Sequence, residues 1–370
     1  MRDRSDYLRC ISRQPQRVHV DLDVTALAEP ARQAPRAWIA LALLVCTVLV
    51  VSALSYSAVL PGQYHTPTWK TARLTISRDF ADPAILLVNG VYYAYATNAY
   101  GMHIQVTHST DLIHWTPLLD ALPTLPSWAS ASGGMVWAPG VIETSAGFVM
   151  YYTAREASSG RQCIGIATSG SADGPFHDES TRPFVCQRGL GGTIDASPFR
   201  SGSSLYLYFK SDGNCCGITT YIWGQRLSAD GLHLTGQPVA LLMNNEPWEG
   251  AVVEGPSMFE HNGHDYLFFS GNDYGTTRYA VGYAECQSPL GPCEQSPTNP
   301  ILASSGAGMS ALAGPGGEDV FTSSSGQTLM AFHSWNITSS GGLGDSRYML
   351  IALIEWHNGQ PSVVGIRASR

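Results

Sequence analysis

Residues Asp82–Thr97 read DPAILLVNGVYYAYAT: a short apolar run, an Asn-Gly turn, then a tyrosine-rich run. β-Branched and aromatic residues on both sides of Asn-Gly are a strong short-range hairpin signal. The pattern returns at Ser145 (SAGFVMYYTA), Ser201 (SGSSLYLYFK), His261 (HNGHDYLFFS) and Ser324 (SSGQTLMAFH). Between the turn residues Asn89, Ala146, Gly202, Asn262 and Gly326 the spacings are 57, 56, 60 and 64. A short apolar strand precedes each turn (PAILLV, PGVIET, SPFRS, PSMFE, DVFTS). Another strand ends each unit (MHIQVTHS, QCIGIATS, TTYIWGQRL, RYAVGYAEC, YMLIALIEW). A unit of three to four strands cannot bury both its faces alone, and stacking such units radially around an axis solves that. The repeats therefore predict an all-β, five-bladed β-propeller. A two-sheet sandwich fits less well, because it rarely exceeds about 250 residues and shows no five-fold similarity.

Composition agrees. With 38 Gly and 22 Pro among 370 residues and only 14% charged residues, long amphipathic helices are excluded. A formal charge of −8 argues against nucleic acid as a partner, which would demand a basic surface. The charge is unevenly spread. Residues 1–37 carry seven Arg against five acids, residues 38–60 carry none, and residues 61–370 are net −10. Trp38–Leu60 (WIALALLVCTVLVVSALSYSAVL) would be roughly 34 Å long as a helix, enough to span a bilayer core. Arg32 and Arg36 precede it, so the expected order is a cytoplasmic tail (1–37), a transmembrane signal anchor (38–60) and an extracytoplasmic propeller (61–370). A cleaved signal peptide is the alternative, giving a secreted enzyme; the length of the stretch and its acid-containing leader favour the anchor.

Six cysteines lie beyond the span: Cys163, Cys186, Cys215, Cys216, Cys286 and Cys293. An even number outside the cytosol suggests disulfides. Sequence proximity favours Cys163–Cys186 and Cys286–Cys293, leaving adjacent Cys215 and Cys216 either bridged or both reduced.

The first strands of the repeats carry acids at matching places. Asp82 and Asp195 each lie seven residues before their turn residue, and Glu254 lies eight before its own. The second unit has Ala138 there, and the fifth has Glu318 and Asp319. An acid at a strand start is commonly a turn former. Three at equivalent places in separate blades would repel one another at a shared axis unless function holds them there.

The strings RDFADPAILLVNGVYYAY, MVWAPGVIE, GGTIDASPF, VVEGPSMFE and YAECQSPLGPC resemble glycoside hydrolase family 43 from end to end of the outer domain. The resemblance implies a five-bladed propeller that releases arabinofuranosyl or xylosyl units with inversion, acting on polysaccharide or glycoside. Carried over by motif, Asp82 would be the general base, Glu254 the general acid, and Asp195 the group that adjusts the proton affinity of Glu254 and orients the sugar. Inverting hydrolysis needs such a base and acid about 6.5–9.5 Å apart, with water between base and sugar. Trp137 would wall a subsite. No cofactor is required for acetal hydrolysis.

Two departures matter. Gly317, in GPGGEDVF, stands where many members have a His that ligates a central calcium, so the resemblance transfers no metal ligand there. His333, in AFHSW, is similar to a fifth-blade His of another branch and is expected to line the pocket. In WAPG, Gly140 replaces the family's usual acid. The expected protein is a monomeric, membrane-anchored glycosidase. A catalytically silent glycan-binding propeller is the alternative, and it would be expected to have lost at least one of the three acids. A protein-interaction scaffold would lack an acidic axis.

Overall fold

The computed structural model describes residues 73–130, 135–305 and 312–364. Among these, five antiparallel sheets form the blades. Blade 1 comprises β2 (Ala84–Val88), β3 (Val91–Ala96), β4 (Gln105–Ser109) and β5 (Leu119–Asp120). Blade 2 has β6 (Val136–Thr144), β7 (Gly147–Arg155) and β8 (Gln162–Ser169). Blade 3 has β9 (Thr193–Ser201), β10 (Ser204–Ser211), β11 (Tyr221–Leu227) and β12 (Leu234–Met243). Blade 4 has β13 (Val253–His261), β14 (His264–Gly271), β15 (Ala280–Cys286) and β16 (Cys293–Gln295). Blade 5 has β17 (Gly316–Thr322), β18 (Thr328–Ile337) and β19 (Leu343–His357). Its outer edge is shared by β1 (Arg73–Ile76) and β20 (Gln360–Val364), which both pair with β19. The chain thus closes its ring with a strand from before the first repeat, a feature the repeat pattern does not contain.

Each second strand reads as a nearly continuous apolar run because a blade is covered on both faces. In β7, Val149 and Tyr151 pack toward blade 3, on Leu207 and Phe209, whereas Met150 and Tyr152 pack toward blade 1, with Tyr95 and Val106. Tyr208 and Ile222 meet Leu267 and Phe269 between blades 3 and 4. Phe268 and Tyr283 meet Met330 and Phe332 between blades 4 and 5. Leu329 and Ile351 meet Ile85 and Tyr92 between blades 5 and 1, completing the ring. Each such buried side chain contributes about 1.5–3 kcal/mol of transfer free energy.

Cys163–Cys186 and Cys286–Cys293 are bridged, and so are Cys215 and Cys216. The proposed anchor Trp38–Leu60 lies outside the described residues. Among the described residues the helical segments are short 3₁₀ turns, and no helix is long and apolar enough to cross a membrane.

Candidate active site

One residue near the start of each innermost strand has a left-handed backbone: Asp82 (φ 51°), Ala138 (42°), Asp195 (57°), Gly255 (60°) and Gly317 (57°). In blades 2 to 5 the pairing register also breaks there. Such a bulge re-aims the adjoining side chains, here toward the propeller axis. The backbone conformation refines the match drawn between the acids. The fourth-blade counterpart of Asp82 and Asp195 is Gly255, with Glu254 one residue ahead, and the fifth-blade counterpart is Gly317 rather than Glu318 or Asp319. A non-glycine residue held at φ > 0 costs on the order of 1–3 kcal/mol, and such strain concentrates at functional sites.

Asp82, Asp195, Glu254 and Trp137 line one axial cavity of about 600 Å³, walled by all five blades. The Thr97 hydroxyl donates to Asp82 Oδ2 at 2.6 Å, and Arg347 Nη1 lies 3.4 Å from Oδ1. Burial alone would raise the Asp82 pKa. The Arg347 charge beside it and the Thr97 hydrogen bond outweigh it and hold the carboxyl well below the usual carboxylate range. Arg347 is itself steadied over the rings of Tyr274 (5.1 Å) and Trp335 (5.7 Å).

The acids on blades 3 and 4 are placed differently. Asp195 Oδ2 accepts the Gly255 amide at 3.0 Å, and its own amide donates to Thr153 Oγ1. Burial and then the charge of Glu254 push the Asp195 pKa up to about 8, against the opposing pull of Lys210. Glu254 accepts from Lys210 Nζ at 2.7 Å and from the Tyr279 hydroxyl at 2.8 Å. The Lys210 side chain is wholly buried, with Asp212 Oδ1 3.5 Å from its ammonium. Burial opposes that charge, but Glu254, Asp195 and Asp212 together raise the Lys210 pKa, so it stays an ammonium.

His333 does not line the cavity; it is fully buried behind Asp82. Its Nδ1 accepts the Asp82 amide at 3.2 Å, and its ring stacks on Tyr279 with centroids 5.8 Å apart. Burial lowers its pKa and keeps the ring neutral. Asp82, His333, Tyr279 and Glu254 are therefore linked in one packed chain that fixes the positions of the two outer carboxyls. A Cβ on Gly317 would lie 2.7 Å from both Asp82 Oδ1 and the His333 ring, so the imidazole fills the space a side chain at 317 would need. Gly140 has a similar reason: its Cβ would meet the Ala196 carbonyl at 2.3 Å. Asp319 ties blades together, accepting from the Ile85 amide and Ser257. Glu318 accepts from Ser270, and burial pushes its pKa up to about 8.

The axis does not fit a protein-caged calcium, a cation that takes six to eight oxygen ligands. His333 Nε2 and Glu318 Oε1 are buried without partners, but no group of three ligating side chains gathers there among the described residues. Among the described residues such a group is formed by Glu156 with Cys163 and Cys186, whose sulfurs are bridged. Sequence reasoning missed Thr97, Lys210, Tyr279 and Arg347. Lys210 left one faint signal, a cation closing the apolar run LYLYF.

The family profile described as glycosyl hydrolases family 43 matches residues 72–361. The chain belongs to that family. Among curated family 43 relatives, a β-D-galactofuranosidase of Aspergillus niger is 27% identical over 270 residues, covering 69% of this chain and 73% of its own. An extracellular endo-α-(1→5)-L-arabinanase of Thermotoga petrophila is 30% identical over 247 residues, 57% of this chain and half of its own length. Among solved structures, a thermostable family-43 glycoside hydrolase superposes with a TM-score of 0.71 at 31% identity, over 82% of this chain and 98% of that one. The protein is a glycosidase.

Proposed function

We propose that the protein is an inverting exoglycosidase or endoglycosidase of pentosyl linkages, arabinofuranosyl or xylosyl, with Asp82 as base and Glu254 as acid. The observation that carries this reading is the separation of proton affinities across the cavity. Asp82 is held ionised by Arg347 and Thr97, as a base that activates water must be. On the opposite side Asp195 retains a proton near neutrality, because burial and the charge of Glu254 disfavour its ionisation. In the free site Asp195 stores that proton while Lys210 and Tyr279 bond Glu254. Sugar binding brings the glycosidic oxygen to Glu254. The proton held by Asp195 moves to Glu254 and on to the leaving oxygen as its bond to the anomeric carbon breaks. Asp82 meanwhile takes a proton from the water whose oxygen bonds that carbon. All steps run on side chains of this chain, with no cofactor.

The relatives named above act on arabinan and on a galactofuranoside, so both sugars belong in the test. The assay is a panel of nitrophenyl α-L-arabinofuranoside, β-D-xyloside and β-D-galactofuranoside with polymeric arabinan, followed by NMR of the first-formed anomer. Hydrolysis with the inverted anomer supports the reading. The retained anomer overturns the mechanism, and no hydrolysis of any pentoside overturns the substrate class. The uncharged stretch Trp38–Leu60 supports display of the monomeric domain outside the cytoplasm on a membrane anchor.

A further inference from the structure

The loop between β10 and β11 opens at the same end of the propeller as Asp195, because Lys210 and Ser211 pair with Ile194 and Thr193. It contains a 3₁₀ turn, Gly213–Cys216, in which neighbouring Cys215 and Cys216 are bridged. Asn214 and Cys215 line the axial cavity together with Asp195, Lys210 and Glu254. Residues 214–219 are exposed, and the Asn214 amide has no partner among the described residues.

The turn is anchored. Arg161, at the start of blade 2's outer strand, places Nη1 3.3 Å from Cys215 Sγ and 2.6 Å from Cys216 Sγ. Below it, Gly191 (φ 96°) allows close approach, since a Cβ there would lie 2.3 Å from the Asp212 carbonyl and 3.2 Å from Cys215 Sγ. A bridged pair of adjacent cysteines is a compact, polarizable, weakly hydrated surface, suited to the C–H face of a sugar ring. The neighbouring amide offers both a donor and an acceptor to ring hydroxyls. A surface fixed before binding loses little conformational entropy when a ligand arrives.

Position assigns the occupant. The turn follows directly on Asp212, 3.5 Å from Lys210 Nζ, which in turn bonds Glu254. It therefore borders the acid side of the cavity, whereas Asp82 is backed by His333 and Arg347 of blade 5. In an inverting hydrolase the leaving group lies on the side of the acid and the water on the side of the base. We propose that Asn214 and the Cys215–Cys216 disulfide form a subsite for the leaving-group sugar, so that the enzyme recognises at least two rings of an oligosaccharide or polysaccharide. This rests on the assignment of Glu254 as acid.

The test compares arabinotriose and xylotriose with the matching methyl pentosides, which have the same alkoxide chemistry but no leaving-group ring. In Asn214→Ala, and in the Cys215→Ser/Cys216→Ser double variant, kcat/KM for the trisaccharide should fall at least tenfold more than for the methyl pentoside, mainly through KM. An equal fall on both substrates, or no fall on the trisaccharide, overturns the subsite. If the double variant fails to fold, Asn214→Ala decides alone. A wild-type enzyme that cleaves the methyl pentoside as readily as the trisaccharide overturns the subsite and leaves the glycosidase reading standing. Cleavage of neither defeats both.

Discussion

At the scale of single residues, the two outer acids differ in what surrounds them, and their variants should differ accordingly. Asp82→Ala removes the group that activates water, so aryl and natural glycosides should both slow by about 10²–10⁴-fold. Glu254→Ala removes the proton donor, so natural glycosides should lose most activity and an aryl glycoside with a good leaving group much less. The opposite discrimination would exchange the two roles. Wild-type rates in both variants would make the propeller a binding module. The cations give the signs of the pH effects. Lys210 opposes the upward push on Asp195, so Lys210→Met should raise the proton affinity of Asp195 further. The acid then stays protonated to higher pH, and the alkaline limb of kcat/KM should move up by about one unit or more. A limb that stays in place would mark Lys210 as structural only. Arg347 holds Asp82 ionised, so Arg347→Gln should raise the Asp82 pKa and shift the acidic limb to higher pH. Asp82 and Asp195 were legible as candidates because acids at strand starts recurred with the repeat. Lys210 and Arg347 were not, since a cation on a strand is normally solvated and only the assembled ring turns these two inward.

At the scale of elements, close approach between inner strands explains residues that the motif comparison could only flag. Gly140 lets β6 lie against β9, with the Ala196 carbonyl and Pro198 where a side chain would be. Gly140→Ala should therefore destabilise the domain by about 1–3 kcal/mol, measured by denaturant unfolding. Unchanged stability would mean that the strands separate freely at this junction. The Cys286–Cys293 bridge links paired residues of β15 and β16. Strand positions were readable from composition and turn residues, whereas the left-handed residue Asp82 and the bulges at Ala138, Asp195, Gly255 and Gly317 were not. In blade 4 the acid sits one residue ahead of the left-handed position, which is why Glu254 counts eight residues before its turn where Asp82 and Asp195 count seven.

At the scale of the whole molecule, ring closure and cellular placement are separate questions. Fractionation should recover the full chain with membranes, the propeller accessible to external protease; a soluble form beginning near Ala58 would indicate cleavage instead. The sequence by itself determined the number of blades, the order of their strands, the two local disulfides and the three acids that recur with the repeat. Those are properties of local chemistry and periodicity, and they survive without knowing what each segment touches. Only the tertiary structure decided that β1 closes blade 5, that His333 lies behind Asp82 rather than in the cavity, and that one buried lysine sits among three carboxylates. Each of these depends on residues far apart in the chain meeting at the axis, where burial converts ordinary side chains into groups with altered proton affinity.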